Sequence, residues 1–94
     1  MIRLTIHFSG QVQGVGFRYT AEDIAQRFAV CGYVQNLPDG RVLLVAEGQV
    51  DEVDTFVRDL TSRMKRYITH HDADRTPATG DLGIPGLDHL QIRR

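Results

Sequence analysis

Residues 33–47 read YVQNLPDGRVLLVAE, and the arrangement of the whole chain follows from them. Tyr33 to Asn36 and Arg41 to Glu47 are rich in β-forming residues, and Pro38, Asp39 and Gly40 between them are turn formers. The two segments therefore pair as a hairpin, strands two and three.

Working back from the hairpin, Ala21, Ile24, Ala25 and Phe28 recur at helical spacing. Thr20, Glu22 and Asp23 are read as the start of this helix, and Gly32 lies just past its end. Before it, Ile2, Leu4, Ile6 and Phe8 alternate with Arg3, Thr5, His7 and Ser9, the period of a strand with one buried face. Working forward, Val53, Phe56, Val57, Leu60 and Met64 mark one face of a second helix. Asp51 and Glu52 stand at its start and Arg63, Lys65 and Arg66 near its end, as the macrodipole favours. Residues 67–75, YITHHDADR, alternate less cleanly but supply a fourth strand. The order β-α-β-β-α-β is the split arrangement of ferredoxin-like folds: an α+β sandwich with two helices on one face of a mainly antiparallel sheet. Thr76 to Gly86 is rich in Pro and Gly and reads as a loop, after which DHLQIRR adds a short fifth strand at an edge.

Ninety-four residues suit a single domain, taken as residues 1–94. The 41% hydrophobic and 24% charged residues are those of an ordinary globular chain. A formal net charge of -1 gives no overall basic field to hold a nucleic-acid backbone, so any anion must be caught locally. The lone Cys31 excludes an intrachain disulfide, fits a reducing compartment and reads as a buried spectator near the end of the first helix. No segment approaches the ~18 apolar residues of a membrane span, and the N-terminus alternates instead of forming a targeting segment. The expectation is a cytoplasmic protein with no membrane partner, and nothing demands more than a monomer.

The stretch between the first strand and first helix, GQVQGVGFR at residues 10–18, carries the chemistry. Gly14 and Gly16 allow positive φ, which turns successive N–H groups toward one point as an anion-holding nest. The loop opens a helix whose first N–H groups are unpaired, and Arg18 adds a planar fork for two oxygens. These features suit a small oxygen-rich anion, although a tight turn beside a surface arginine accounts for the spacing equally well. The GxxxxGK[ST] pattern fails for want of the lysine, GxGxxG fails because Tyr19 occupies the third glycine position, and no thiol sits in the loop.

GQVQGVGFR resembles the first signature of the acylphosphatase family, and GYVQNLPDGRVLLVAEG, from Gly32 to Gly48, resembles the second. The first matches at Gly10, Val12, Gln13, Gly14, Val15, Phe17 and Arg18, the second at Gly32, Tyr33, Val34, Asn36, Gly40, Val42 and Gly48. With the helices between and after them, the similarity spans residues 2–66. It implies a ferredoxin-like hydrolase that splits the carboxyl-phosphate bond of acyl phosphates, with inorganic phosphate as product. It also implies a phosphate-binding loop of Gln13, Gly14, Val15, Gly16, Phe17 and Arg18, with Arg18 on the phosphoryl group and Asn36 orienting the attacking water. A catalytically idle or repurposed module of this family, such as the domain that begins hydrogenase-maturation carbamoyltransferases and acts on carbamoyl phosphate, is the competing reading.

The implied chemistry needs little from the protein. A carboxylate leaving group has a conjugate-acid pKa of about 4, so it departs unprotonated, and charge stabilisation can come from Arg18 and N–H groups without a metal or other cofactor. His70, His71 and Asp72 do not make a metal site, because on a strand His70 and Asp72 face one side and His71 the other. A role in RNA recognition is disfavoured, since RVLLVAE lacks the stacking aromatics of RNA-binding sheets. The chain departs from the family in its last third, with TGDL and then GIPGLDHLQIRR, where His89 and Leu90 replace the usual Gly and Phe. These departures fall on the fifth strand and the rim of the pocket, outside the phosphate-binding loop.

Overall fold

The computed structural model describes all of residues 1–94. The elements are β1 (Ile2–Gly10), α1 (Phe17–Ala25), β2 (Val30–Asn36), β3 (Val42–Gly48), α2 (Val50–Arg63), a 3-10 turn (Lys65–Tyr67), β4 (Ile68–Pro77) and β5 (Leu90–Arg93). The sheet order is β4-β1-β3-β2-β5, antiparallel throughout except for the parallel β2–β5 pair. This is the expected β-α-β-β-α-β sandwich with a fifth strand added to the β2 edge.

The period-two residues of β1 meet the period-3.6 faces of the helices in one core. Leu4, Ile6 and Phe8 from β1, Val34 from β2, and Val42, Leu44 and Ala46 from β3 pack with Ala21 and Ile24 of α1 and Val53, Phe56 and Leu60 of α2. Burying each of the larger side chains stabilises the fold by about 1.5–3 kcal/mol. β4 is covered less, most of its residues being exposed, and it is tied to α2 by an ion pair of 2.5 Å between Arg75 and Asp54. On β4, His70 Nε2 lies 3.1 Å from Asp72 Oδ1 while His71 turns to the other face, its ring 6.0 Å from that of Phe8.

The opposite sheet face is covered at one corner by the chain between β4 and β5. There Cys31, Val45 and Glu47 are buried. Burial pushes the Cys31 thiol above its ordinary pKa, as befits an unreactive thiol. Glu47 accepts from Arg3 Nε at 2.7 Å, from the N–H groups of Thr79 and Gly80 at 3.1 and 3.2 Å, and from the Thr79 hydroxyl at 3.3 Å. Arg3 also reaches Asp81. Desolvation alone raises the Glu47 pKa, but these donors outweigh it and hold the carboxyl below its usual range.

Three boundaries differ from those read in the sequence. Helix α1 begins at Phe17, so Thr20, Glu22 and Asp23 lie inside it and its first turn has no acidic residue. Gly16, in the left-handed region at φ 79°, turns the chain there so that Phe17 enters the core with its ring 5.0 Å from that of Phe8. Gly32 does not end α1 but lies within β2, together with Cys31; at φ 139° its missing Cβ would come within 2.9 Å of the Val45 carbonyl carbon. β4 continues to Pro77, through residues expected to be loop.

Candidate active site

The loop of residues 11–16 leaves the end of β1 with Val12 fully buried beneath it. Gly14 and Gly16 both adopt left-handed φ, 77° and 79°, with open space where a Cβ would lie. Backbone conformation, not crowding, therefore requires glycine at both positions. The first helical bond runs from the Thr20 N–H to the Gly16 carbonyl at 2.9 Å, which leaves the N–H groups of Phe17, Arg18 and Tyr19 without intrahelical partners. These N–H groups and the positive end of the α1 dipole face the same region as the loop.

A small cleft of about 120 Å³ opens here, lined by Val12, Gly14, Gly16, Phe17, Arg18, Tyr19 and Asn36. The guanidinium of Arg18 donates once to the chain, from Nη1 to the Arg93 carbonyl at 3.1 Å, and pairs with no carboxylate. That bond fixes the fork and leaves its other donors free. Arg93 is itself steadied by its guanidinium lying 3.6 Å from the centre of the Tyr33 ring. Asn36 ends β2 on the wall of the cleft. No carboxylate, imidazole or thiol lines the cleft, so it can bind and polarise an oxyanion and hold a water, but it contains no strong base.

Of the residues singled out in the sequence, Gly14, Gly16, Phe17, Arg18 and Asn36 meet at this cleft, whereas Gln13 and Val15 do not line it. The Gln13 side chain turns away and donates to the carbonyls of Leu37 and Arg41 at 2.8 and 2.9 Å. It thereby ties the glycine-rich loop to the hairpin that carries Asn36. Val15 packs against the core. Sequence reasoning missed the lining by Val12 and Tyr19 and the part played by the Arg93 carbonyl. Tyr19 entered only as the residue that breaks a GxGxxG pattern, and a backbone acceptor leaves no mark in a sequence.

Fold and cleft together define a class: a ferredoxin-like α+β sandwich whose first strand-to-helix loop presents free N–H groups, a guanidinium and an amide to one small cleft. The family model described as Acylphosphatase matches residues 4–82. An acylphosphatase of Methanospirillum hungatei is 50% identical over 62 residues, 66% of this chain and 68% of that protein. The crystal structure of acylphosphatase from Bacillus subtilis superposes with a TM-score of 0.84 over the full length of both chains at 26% identity. The crystal structure of T. kodakarensis HypF matches all of this chain but 12% of its own, with a TM-score of 0.77 and 29% identity. The chain belongs to the acylphosphatase family.

Proposed function

We propose that the chain is an acylphosphatase: it hydrolyses acyl phosphates to a carboxylate and inorganic phosphate by attack of water on phosphorus. The observation that carries this reading is the convergence of the Arg18 fork, the unpaired N–H groups at the start of α1 and the Asn36 amide on one cleft. In this reading the phosphoryl group occupies the loop of residues 13–18, and its equatorial oxygens accept from the backbone N–H groups and Arg18. These donors are fixed before substrate arrives, so they stabilise the charge of the transition state with little reorganisation. Asn36 orients the water in line with the departing oxygen. The P–O bond to the acyl group breaks as the water oxygen bonds to phosphorus, the electron pair leaves with the carboxylate, and the water proton ends on a phosphate oxygen.

The cleft needs no general acid because the leaving carboxylate is stable unprotonated at neutral pH. Turnover is accordingly metal-independent in this proposal, the charge being carried by Arg18 and the backbone. Residues 1–94 act as one monomeric domain in the cytoplasm, without nucleic acid or membrane. No helix is long and apolar enough to cross a membrane. Benzoyl phosphate hydrolysis in the presence of a chelator, inhibited competitively by inorganic phosphate, is the expected result. Phosphate binding without turnover would instead establish the idle or repurposed module, a reading favoured by the likeness to a segment of the much longer HypF chain.

A further inference from the structure

The net charge of -1 conceals a strong separation of charge along the strands. The pairs Gly10↔Ile68, Phe8↔Val42, Asn36↔Val42 and Gln35↔Arg93 place one end of β1, β2, β3, β4 and β5 together, and this is the end with the cleft. Arg18 stands there at the start of α1, Arg41 beside β3, Arg63, Lys65 and Arg66 between α2 and β4, and Arg93 and Arg94 at the end of β5. The carboxylates near them are fewer: Asp39 is 2.7 Å from Arg41, Asp72 near the start of β4 lies 3.1 Å from His70, and Glu22 and Asp59 stand one helical turn from Arg18 and Arg63. At the far end, where Ile2, Val30, Gly48 and Pro77 meet, lie Glu47, Asp51, Glu52, Asp54, Asp81 and Asp88.

The ion pairs divide the same way. Arg3, Arg27, Arg41 and Arg75 have carboxylate partners, and seven of the 11 basic side chains have none. Six of those seven, all but Arg58, belong to segments at this end of the sheet; Arg18 lines the cleft itself, and Arg63 faces a separate recess with Arg27 and Asp59. The sign there survives even if a terminal carboxylate follows Arg94. A macrodipole accounts for Arg63 at the end of α2, but not for cations gathered from α1, the 3-10 turn and β5 as well. The cleft is small, about 120 Å³, so with the phosphoryl group held at Arg18 and the loop N–H groups the acyl part of a bound substrate extends toward the rim, within this field.

We propose that the unpaired cations around the cleft make the protein select, among acyl phosphates, those whose acyl part carries a negative charge of its own. The inference rests on the proposed function for the placement of the phosphoryl group, and concerns its substrate class. The attraction acts through solvent, so it is strong at about 10 mM salt, where the screening length is about 30 Å, and lost at about 1 M, where it is about 3 Å.

Two unreactive ligands test this without turnover: methylphosphonate, with one anionic group, and phosphonoacetate, with a second. In calorimetric titrations at about 10 mM salt the expected affinity for phosphonoacetate is about tenfold the higher, falling to within about twofold at about 1 M. The exposed pair Lys65→Glu and Arg66→Glu, changed together, should remove most of the preference at low salt while leaving the far-ultraviolet circular dichroism unaltered. Equal affinities at low salt, a preference that persists at about 1 M, or one indifferent to the double variant would each overturn the inference. Failure to hydrolyse benzoyl phosphate with the preference intact would overturn the enzymatic reading alone. Turnover without the preference would overturn only the proposed selectivity.

Discussion

At the Glu47 corner of the sheet the chain supplies four donors to one buried carboxylate, whereas at the Asn36 corner it spends a single bond on Arg18 and none on the Asn36 side chain. Both corners are built from the same strands, β2 and β3, at their opposite ends. Polar groups whose partners all come from the chain hold the fold together; polar groups gathered at a cleft and left free are placed for something that is not the chain. The segment from Ala78 to Arg93 joins the two corners, because it donates to Glu47 at one end and accepts from Arg18 at the other.

The largest effect should follow from removing the free guanidinium. Arg18→Ala is expected to lower kcat/KM for benzoyl phosphate by about 1,000-fold or more, about 4 kcal/mol of transition-state stabilisation, while thermal stability changes little. A variant without Arg18 that turns over normally would remove it from the chemistry. Glu47→Ala should do the reverse, costing about 2–4 kcal/mol of stability by leaving Arg3 Nε and two backbone N–H groups without their acceptor, and changing kcat little below the melting transition. A large loss of kcat in that variant would show that the two corners are coupled through the 78–93 segment.

Glu47 also sets a pH dependence. Its folded-state pKa lies below its unfolded one, so its contribution is present above the ordinary carboxylate range and is lost as the pH falls through that range toward the lowered value. Denaturant midpoints measured from neutral pH downward should fall steeply below about pH 4, and less steeply in Glu47→Gln, which cannot lose a charge. At the other corner, Asn36→Ala should reduce kcat by about 100-fold while leaving phosphate affinity nearly unchanged, because the amide is assigned to the water and not to the phosphoryl group. Equal loss in kcat and phosphate affinity would move Asn36 to anion binding.

The sequence disclosed those parts of each corner that rest on local pattern. The hairpin, the alternation of β1 and the apolar face of α2 follow from turn residues and periodicity, and Arg18 and Asn36 from long motif resemblances. The start of α1 was hidden because a left-handed Gly16 caps it in place of a Ser, Thr or Asp, so Thr20 and its acidic neighbours looked like the first turn. Gly32 imitated a helix stop, although its true cause is the nearness of the Val45 backbone in the neighbouring strand, which is a tertiary fact. Glu47 looked like any polar residue closing a strand, since its donors come from residues more than 30 positions away on either side. The parallel pairing of β5 likewise depends on a long return of chain that no local period records.

The smallest test concerns the residue that touches both ends of this logic. Tyr33 lies on β2 three residues before Asn36, and its ring supports the guanidinium of Arg93, whose carbonyl fixes Arg18. Replacing the half-buried ring by Tyr33→Leu removes an attraction of about 0.5–1 kcal/mol to the exposed Arg93 guanidinium and loosens the hold of β5 on Arg18 without touching the cleft. The expected result is a two- to fivefold rise in KM, by this estimate of about 0.5–1 kcal/mol, with kcat changed less. Tyr33→Phe keeps the aromatic face and should restore the KM. If Phe and Leu behave alike, the ring acts through its hydroxyl or through simple packing, and the Arg93 carbonyl holds Arg18 without help from the stack.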